Sequence, residues 1–209
     1  MSPNTTVLQH PLIEHKLAIL RNRQTDNKLF RSTLHELSYL IVYETTRDLA
    51  LRPVRIQTPL APCESLQLDE QVLLVPILRA GLGMVEGILN LIPSAKVGHI
   101  GVYRDEETLQ PVEYYFRLPP DAAAMRTFVL DPMLATGGSL AYAVNLLKNK
   151  GISNITVISI IAAPEGIAAL ESAHPDLRIY TAMLDQELDD HGYILPGLGD
   201  CGDRIFGTL

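Results

Sequence analysis

Residues 129–139 read VLDPMLATGGS. The run TFVL at 127–130, which begins two residues earlier, has the composition of a strand. Beyond the run, apolar residues at 140, 143, 144 and 147 recur at the spacing of one helical face. The pattern therefore predicts a short apolar strand, an acidic residue at its end, and a small-residue loop that opens a helix.

Such a loop has the properties of a phosphate cradle. The first turn of a helix offers unpaired N–H groups and the positive end of the helix dipole. Gly137 and Gly138 let the backbone wrap closely around a ligand, and Thr136 and Ser139 supply hydroxyls. Asp131 repels phosphate, so we expect it to accept hydrogen bonds from sugar hydroxyls. The alternative is an ordinary strand–helix turn with Ser139 as N-cap; the run matches neither the dinucleotide fingerprint nor the P-loop.

Composition restricts the class of protein. The chain has 209 residues, of which 47% are hydrophobic and 20% charged, which is typical of one large folded domain spanning residues 1–209. A net charge of −7 disfavours nucleic acid as a partner. We expect no membrane partner, because no stretch has the roughly 18 apolar residues of a span. With only Cys63 and Cys201 and no recognisable secretory signal, we expect a cytoplasmic protein without disulfides.

The order of elements predicts an α/β fold. Apolar runs typical of buried strands alternate with helical patterns, so we expect a mainly parallel, twisted, doubly wound sheet flanked by helices, with ligands at the carboxyl ends of the strands. We expect a flap hairpin around 104–110 and a connection between elements at the prolines 53, 59 and 62. The expected strands are 71–78, 97–103, 112–118, 127–130, 155–162 and 178–184, and the expected helices 11–23, 33–49, 82–91 and 165–173, besides the one after the loop.

Three further segments are candidate parts of a site. Arg79 follows a buried strand in PILRAGLG at 76–83 and is suited to a second phosphate; the alternative is a surface arginine before a tight turn. Arg104 lies in the flap candidate, which is otherwise a solvent-exposed hairpin. The run 192–207 has five glycines among apolar residues, so we expect no regular helix or strand there. Its exposed backbone groups suit a flat ring with alternating carbonyl and N–H groups, or else it is a tail packed on the sheet.

These segments, taken with the loop, resemble the uracil phosphoribosyltransferases of the type I phosphoribosyltransferase superfamily. The resemblance spans nearly the whole chain and is carried by 76–84, the loop through Ser139, and the segments 192–200 and 202–208. It implies the type I fold with a small base-binding hood built from the N-terminal helices and the C-terminal segment. It also implies that uracil and phosphoribosyl pyrophosphate (PRPP) give UMP and pyrophosphate in pyrimidine salvage, with Mg²⁺ as cofactor.

The resemblance further implies roles for individual residues. Arg79 and Arg104 would hold pyrophosphate, the Asp200 carboxylate would face PRPP, and these three with Asp131 would be the catalytic residues. The peptide between Arg79 and Ala80 is expected to be cis. The ribose and 5′-phosphate would be held by Asp131, Pro132, Met133, Leu134, Ala135, Thr136, Gly137, Gly138 and Ser139, and uracil by Tyr193, Ile194, Gly199, Asp200 and Cys201.

Two departures from the family pattern affect these expectations. Pro132 stands where many type I enzymes have a second acid, so we expect Mg²⁺ to be held mainly by PRPP and water, with no direct ligand from the protein. Cys201 stands where the family usually has alanine. Its expected contact with the base is through the backbone, so we expect the change to be tolerated, with a slight change in selectivity or a sensitivity to oxidation as its two possible effects.

Two alternatives remain open at the level of sequence. One is a PRPP-sensing regulator that keeps the fold without catalysis, and the other is a phosphoribosyltransferase for another base, such as a purine. Family members are usually homo-oligomers, dimers or larger, and GTP activates some of them, so both a homo-oligomer and a GTP activator are expectations.

Overall fold

The computed structural model describes residues 4–104 and 111–208, except for the side chains of Arg104 and Pro111. The helices are α1 Pro11–Arg21, α2 Asn27–Thr45, α3 Leu82–Leu91, α4 Gly138–Asn149, α5 Pro164–Ala173 and α6 Cys201–Phe206, with a short 3₁₀ helix at Ala122–Ala124. The strands are β1 Thr5–Val7, β2 Leu51–Gln57, β3 Pro62–Leu68, β4 Val72–Leu78, β5 Lys96–Val97, β6 His99–Arg104, β7 Pro111–Arg117, β8 Arg126–Leu130, β9 Met133–Leu134, β10 Ile155–Ala162, β11 Arg178–Leu184, β12 Glu187–Leu188 and β13 Ile194–Leu195.

A mainly parallel sheet forms the centre of the molecule, as predicted. Its strand order is β1-β11-β10-β8-β4-β6-β7, and β6–β7 is the antiparallel pair at one edge. The strands β8 and β10 are buried throughout, which explains their continuous apolar sequences. The β6–β7 pair is the predicted flap hairpin, and its connection, 105–110, lies outside the described residues.

Helices cover both faces of this sheet. Phe128 packs into a core with residues of α1, α2 and α3, whereas its neighbour Val129 packs into a second core with residues of α4 and α5. Successive residues of a strand point to opposite faces, so the two cores follow directly from the alternation along β8. None of the described helices is long and apolar enough to cross a membrane.

The first third of the chain differs from the prediction in two places, the start of the second helix and the connection at the prolines. Helix α2 begins at Asn27 and not at residue 33, because the Asp26 side chain accepts a hydrogen bond of 2.8 Å from Leu29 N and caps it. The predicted connection at the prolines is instead the hairpin β2–β3, a separate two-stranded sheet. Pro53 lies within β2, which is possible because a two-stranded ladder leaves each strand an outer edge where a missing N–H costs nothing.

The prediction that 192–207 forms no regular element was also wrong. Strand β13 pairs with β12, and α6 occupies Cys201–Phe206. The Asp200 side chain caps the start of α6, and Gly207 ends it in a left-handed conformation with φ of +68°. The glycines at 192, 197, 199 and 207 lie outside these short elements, where positive φ is required.

Candidate active site

The two loops that the sequence singled out meet at one edge of the sheet. Strands β4 and β8 are parallel neighbours in which Pro76 pairs with Leu130. Because the carboxyl ends of parallel strands lie at the same edge, the segments that begin at Arg79 and Asp131 emerge side by side. The candidate site residues therefore come together at the edge of the sheet where a ligand is expected.

The loop after β8 encloses a small cavity at the start of α4. Its volume is about 100 Å³, and its lining consists of Asp131, Met133, Leu134, Ala135, Thr136, Gly137, Gly138, Ser139 and Leu140. The N-cap is Gly137, at φ of +79°, and no side chain caps the helix. The Ser139 capping alternative therefore does not hold, and the first turn of α4 keeps its N–H groups for another partner. A Cβ on Gly137 would lie 2.8 Å from the Gly166 carbonyl oxygen, so this turn requires glycine.

A second cavity of about 220 Å³ lies beside the first. It is lined by Ala80, Asp131, Met133, Ala135, Gly192, Tyr193, Ile194, Gly199, Asp200, Cys201 and Gly202. Asp131, Met133 and Ala135 line both cavities. The two cavities are therefore neighbouring compartments, one walled by the loop and the other closed by the C-terminal segment.

Asp131 lies where the two compartments meet. Burial raises the pKa of its carboxyl to about 7, and the hydrogen bond from Met133 N, at 3.2 Å, offsets only part of that effect. A carboxyl in this setting gains from any ligand that donates hydrogen bonds to it. Ligand hydroxyls are donors of that kind.

Asp200 and Cys201 form the opposite wall. One oxygen of the Asp200 carboxylate accepts a hydrogen bond of 2.8 Å from Asp203 N, which fixes its orientation at the cavity. The Cys201 side chain is buried, and burial together with the carboxylates of Asp131 and Asp200 raises the pKa of its thiol strongly. The thiol therefore stays protonated, which argues against the expected sensitivity to oxidation.

Arg79 lies at the rim. Its side chain is 55% exposed, with Nη2 3.3 Å from a carboxylate oxygen of Asp203 and the guanidinium 5.8 Å from the centre of the Phe206 ring. It does not line either cavity, but a Cβ on Gly202 would lie 3.9 Å from its Nη2, which places the guanidinium beside the second one. The predicted cis bond was misplaced by one residue: it joins Leu78 and Arg79.

The other predicted site residues differ in their exposure and in whether they line a cavity. Ile194 is 4% exposed and Tyr193 is 50% exposed, and both line the second cavity. Pro132 is buried and lines neither cavity. Its carbonyl oxygen accepts hydrogen bonds from Ile160 N and Ile161 N in β10. Leu134 places its side chain in the core. The Arg104 side chain lies outside the described residues.

No local sequence pattern indicated the three residues that hold the C-terminal segment. Arg21 and Asp185 bind each other and Gly197, and Arg204 bonds the carbonyl of Leu198. Arg204 lay inside the glycine-rich run, but no role was predicted for it. Arg21 and Asp185 are 164 positions apart, so no local pattern connects them.

A parallel sheet with a phosphate-type loop at a helix start, an acidic residue beside it and a hairpin flap at the edge defines a type I phosphoribosyltransferase. The adenine phosphoribosyltransferase of Trypanosoma brucei shares this fold, with a TM-score of 0.59 at 12% identity over 91% of this chain and 87% of that one. The chain belongs to the uracil phosphoribosyltransferase family, whose model matches residues 7–208.

Individual relatives agree with this assignment. Uracil phosphoribosyltransferases of Streptococcus pneumoniae serotype 4 and Latilactobacillus sakei are 57% and 55% identical, over 97% of this chain and 97% and 98% of theirs. Among solved structures, the AQ2163 protein of Aquifex aeolicus matches with a TM-score of 0.92 at 41% identity, covering 98% of each chain.

Proposed function

We propose that this chain is a pentosyltransferase that transfers the phosphoribosyl group of PRPP to uracil, giving UMP and pyrophosphate. The observation that carries the proposal is the pair of cavities joined at Asp131, Met133 and Ala135. One compartment suits a phosphate at a helix start, and the other offers backbone groups for a flat base. A ribose between them would place its hydroxyls beside the Asp131 carboxyl.

The loop 131–139 binds the sugar phosphate in this proposal. The N–H groups at the start of α4 and the hydroxyls of Thr136 and Ser139 donate to the 5′-phosphate. Asp131 accepts from the ribose hydroxyls, which repays part of the cost of burying its charge. Across the second cavity, backbone groups of 193–194 and 199–201 pair with the carbonyl and N–H groups of uracil.

Charge governs the chemical step. As the bond between the anomeric carbon and pyrophosphate breaks, negative charge grows on the leaving group and positive charge on the ribose ring. Arg79 and Arg104 stabilise the leaving group, while the carboxylates of Asp131 and Asp200 stabilise the ring. Positioning of the two substrates in adjacent compartments supplies a further part of the rate.

Mg²⁺ is part of the proposal as a substrate-held ion. Asp131 and Asp200 are the carboxylates of the two cavities, and among the described residues no three His, Cys, Asp or Glu side chains group closely enough to hold a metal. An ion at this site would be held mainly by PRPP oxygens and water, and Asp131 and Asp200 would be the carboxylates available to its bound water. When bound, the ion neutralises charge that develops on pyrophosphate.

The chain is proposed to act as a homo-oligomer of two or more copies. The hairpin β2–β3 is separate from the main sheet, and a lone two-stranded hairpin is only marginally stable in water. Leu51, Leu66 and Leu68 lie on one face of it and are 53%, 61% and 43% exposed. A second copy that covers this face would stabilise the hairpin.

GTP is the candidate activator, tested by adding it to the assay at limiting PRPP.

The proposed activity is tested with purified protein, PRPP and Mg²⁺, incubated separately with uracil, cytosine, adenine, guanine and hypoxanthine. We expect nucleotide only with uracil, detected as UMP by chromatography. Binding of PRPP without turnover of any base would favour the PRPP-sensing regulator. Turnover of a purine would favour the other alternative and contradict the proposal.

A further inference from the structure

A buried ion pair joins the last residue of α1 to Asp185, the residue that follows β11. Arg21, the last residue of α1, donates from Nη1 and Nη2 to the two carboxylate oxygens of Asp185, at 2.8 and 2.5 Å. The Asp185 side chain is 3% exposed and that of Arg21 23%. A two-point pair of this kind fixes the direction of both groups as well as their separation.

The same pair encloses the backbone of Gly197. Arg21 Nη1 also donates to the Gly197 carbonyl oxygen at 2.8 Å, and Gly197 N donates to Asp185 Oδ2 at 3.0 Å. Gly197 has φ of +58°, and a Cβ there would lie 2.0 Å from the Ile194 carbonyl oxygen. Both polar groups of this tight turn are therefore bound by the ion pair.

A second guanidinium secures the next residue. Arg204 donates from Nη1 to the carbonyl oxygens of Leu198, at 2.8 Å, and of Leu20, and from Nη2 to that of Asn22 at 2.8 Å. Its guanidinium lies 4.4 Å from the centre of the Phe30 ring. The turn is thus tied to the end of α1 from two sides.

The position of this turn gives the ion pair its role. Residues 197–198 lie between Ile194 and Gly199, which line the second cavity, whereas Arg21 and Asp185 do not line it. We propose that Arg21 and Asp185 are positioning residues that hold the base-recognition loop, residues 194–201, and so set the selectivity of the site for uracil. The proposal rests on the proposed function.

The physical reason is the angular dependence of hydrogen bonds. Backbone groups select a base only if they point at its donors and acceptors, and such bonds weaken steeply below about 120°. Removing one member of a buried pair leaves the other charge unpaired and pulls the turn out of shape. The sugar-phosphate compartment is built from residues 131–140 and does not depend on this turn.

The test is steady-state kinetics on Arg21→Met, Asp185→Asn and the double variant. We expect the KM for uracil to rise about tenfold or more in each, since small misplacements of recognition groups have effects of that size, while the KM for PRPP changes less than twofold. The preference for uracil over cytosine, measured as the ratio of kcat/KM values, should fall. The double variant should resemble either single variant, because the two residues act as one unit.

Arg126→Met is the matched control. Its side chain is 4% exposed and paired with Asp48 at 2.8 Å, but it begins β8 and so lies at the end of the strand remote from Asp131. This variant should melt at a lower temperature with an unchanged KM for uracil. Arg21→Lys, which keeps the charge without the fork, should fold and give an intermediate KM for uracil.

An unchanged KM for uracil in Asp185→Asn and Arg21→Lys would overturn the proposal. So would a rise that the Arg126→Met control reproduces, because the effect would then report general destabilisation. These results are distinct from failure of the proposed function, in which the unaltered protein itself forms no UMP.

Discussion

The binding role proposed for Asp131 comes with a cost to stability. Burial raises the pKa of its carboxyl to about 7 from an ordinary value of 3.8, so the folded protein keeps a proton that the unfolded chain releases. Between about pH 4 and pH 7 the folded state therefore binds more protons than the unfolded state. The contribution of Asp131 to the free energy of unfolding falls as pH rises through this window and stays low above it.

The fall in the free energy of unfolding with rising pH can be tested by removing the Asp131 charge. Asp131→Asn, which carries no charge, should raise Tm relative to the unaltered protein at pH 8, by about 2–4 °C for each kcal/mol gained. At pH 4 the two proteins should melt at more nearly the same temperature. Turnover should fall by roughly two orders of magnitude, because the sugar loses an ionised partner. A Tm difference that is the same at both pH values would contradict the account.

The roles proposed for Arg79 and Asp200 predict different kinetic effects when each is replaced. The ion pair of Arg79 with Asp203 is exposed and so contributes at most about 1 kcal/mol, which leaves the guanidinium free to move to pyrophosphate. Arg79→Ala should raise the KM for PRPP and lower kcat, each by tenfold or more, whereas Asp200→Asn should mostly lower kcat. Initial rates over a PRPP series measure both. Unchanged kinetics in either variant would remove that residue from the site.

The two cysteines should differ in reactivity. Cys63 is exposed, whereas Cys201 is buried, and its burial and two neighbouring carboxylates raise the pKa of its thiol. Iodoacetamide at pH 8 should therefore modify Cys63 and leave Cys201 unmodified, as read by peptide mass spectrometry. Cys201→Ala should keep its turnover of uracil to within a few-fold. Rapid labelling of Cys201 in the folded protein would contradict this reading.

At the scale of elements, long apolar runs were the reliable signal. Strands β4 and β10 could be predicted nearly to the residue, because burial on both faces requires a continuous apolar sequence. Helix α3 also has the predicted bounds, although only one of its faces is buried. The hairpin β2–β3 could not, since its prolines indicate a break and its leucines contact no core within one chain. The short α6 was hidden by glycines that lie at its boundaries.

The hairpin yields the prediction for assembly. Leu66 faces outward on the leucine-bearing side of β3, and Gln67 faces the opposite side. Leu66→Glu should shift the protein toward a single copy in sedimentation velocity, because it places a charge in the proposed interface. Gln67→Glu is the matched control and should leave the sedimentation coefficient unchanged. A monomeric unaltered protein, or an unchanged assembly in Leu66→Glu, would contradict the proposal.

For the whole molecule, the sequence predicts which segments form the candidate site but not which residues hold those segments in place. The loop at 131–139 and the segment 192–202 carry local patterns that predict a ligand, and residues of both line one cavity. The ion pair of Arg21 and Asp185 joins residues that are 164 positions apart, and only the fold brings them into contact. Likewise, the burial that raises the pKa of Asp131 arises from packing rather than from its neighbours in sequence.

In the proposed reaction, the two joined compartments transfer the phosphoribosyl group of PRPP to uracil and release pyrophosphate. Phosphorus NMR of a reaction containing the protein, PRPP, Mg²⁺ and uracil follows both products at once. We expect each PRPP consumed to give one UMP and one pyrophosphate, and PRPP to stay intact when cytosine or adenine replaces uracil. PRPP that remains unconsumed in the presence of uracil, or that forms a nucleotide from adenine, would contradict the proposed reaction.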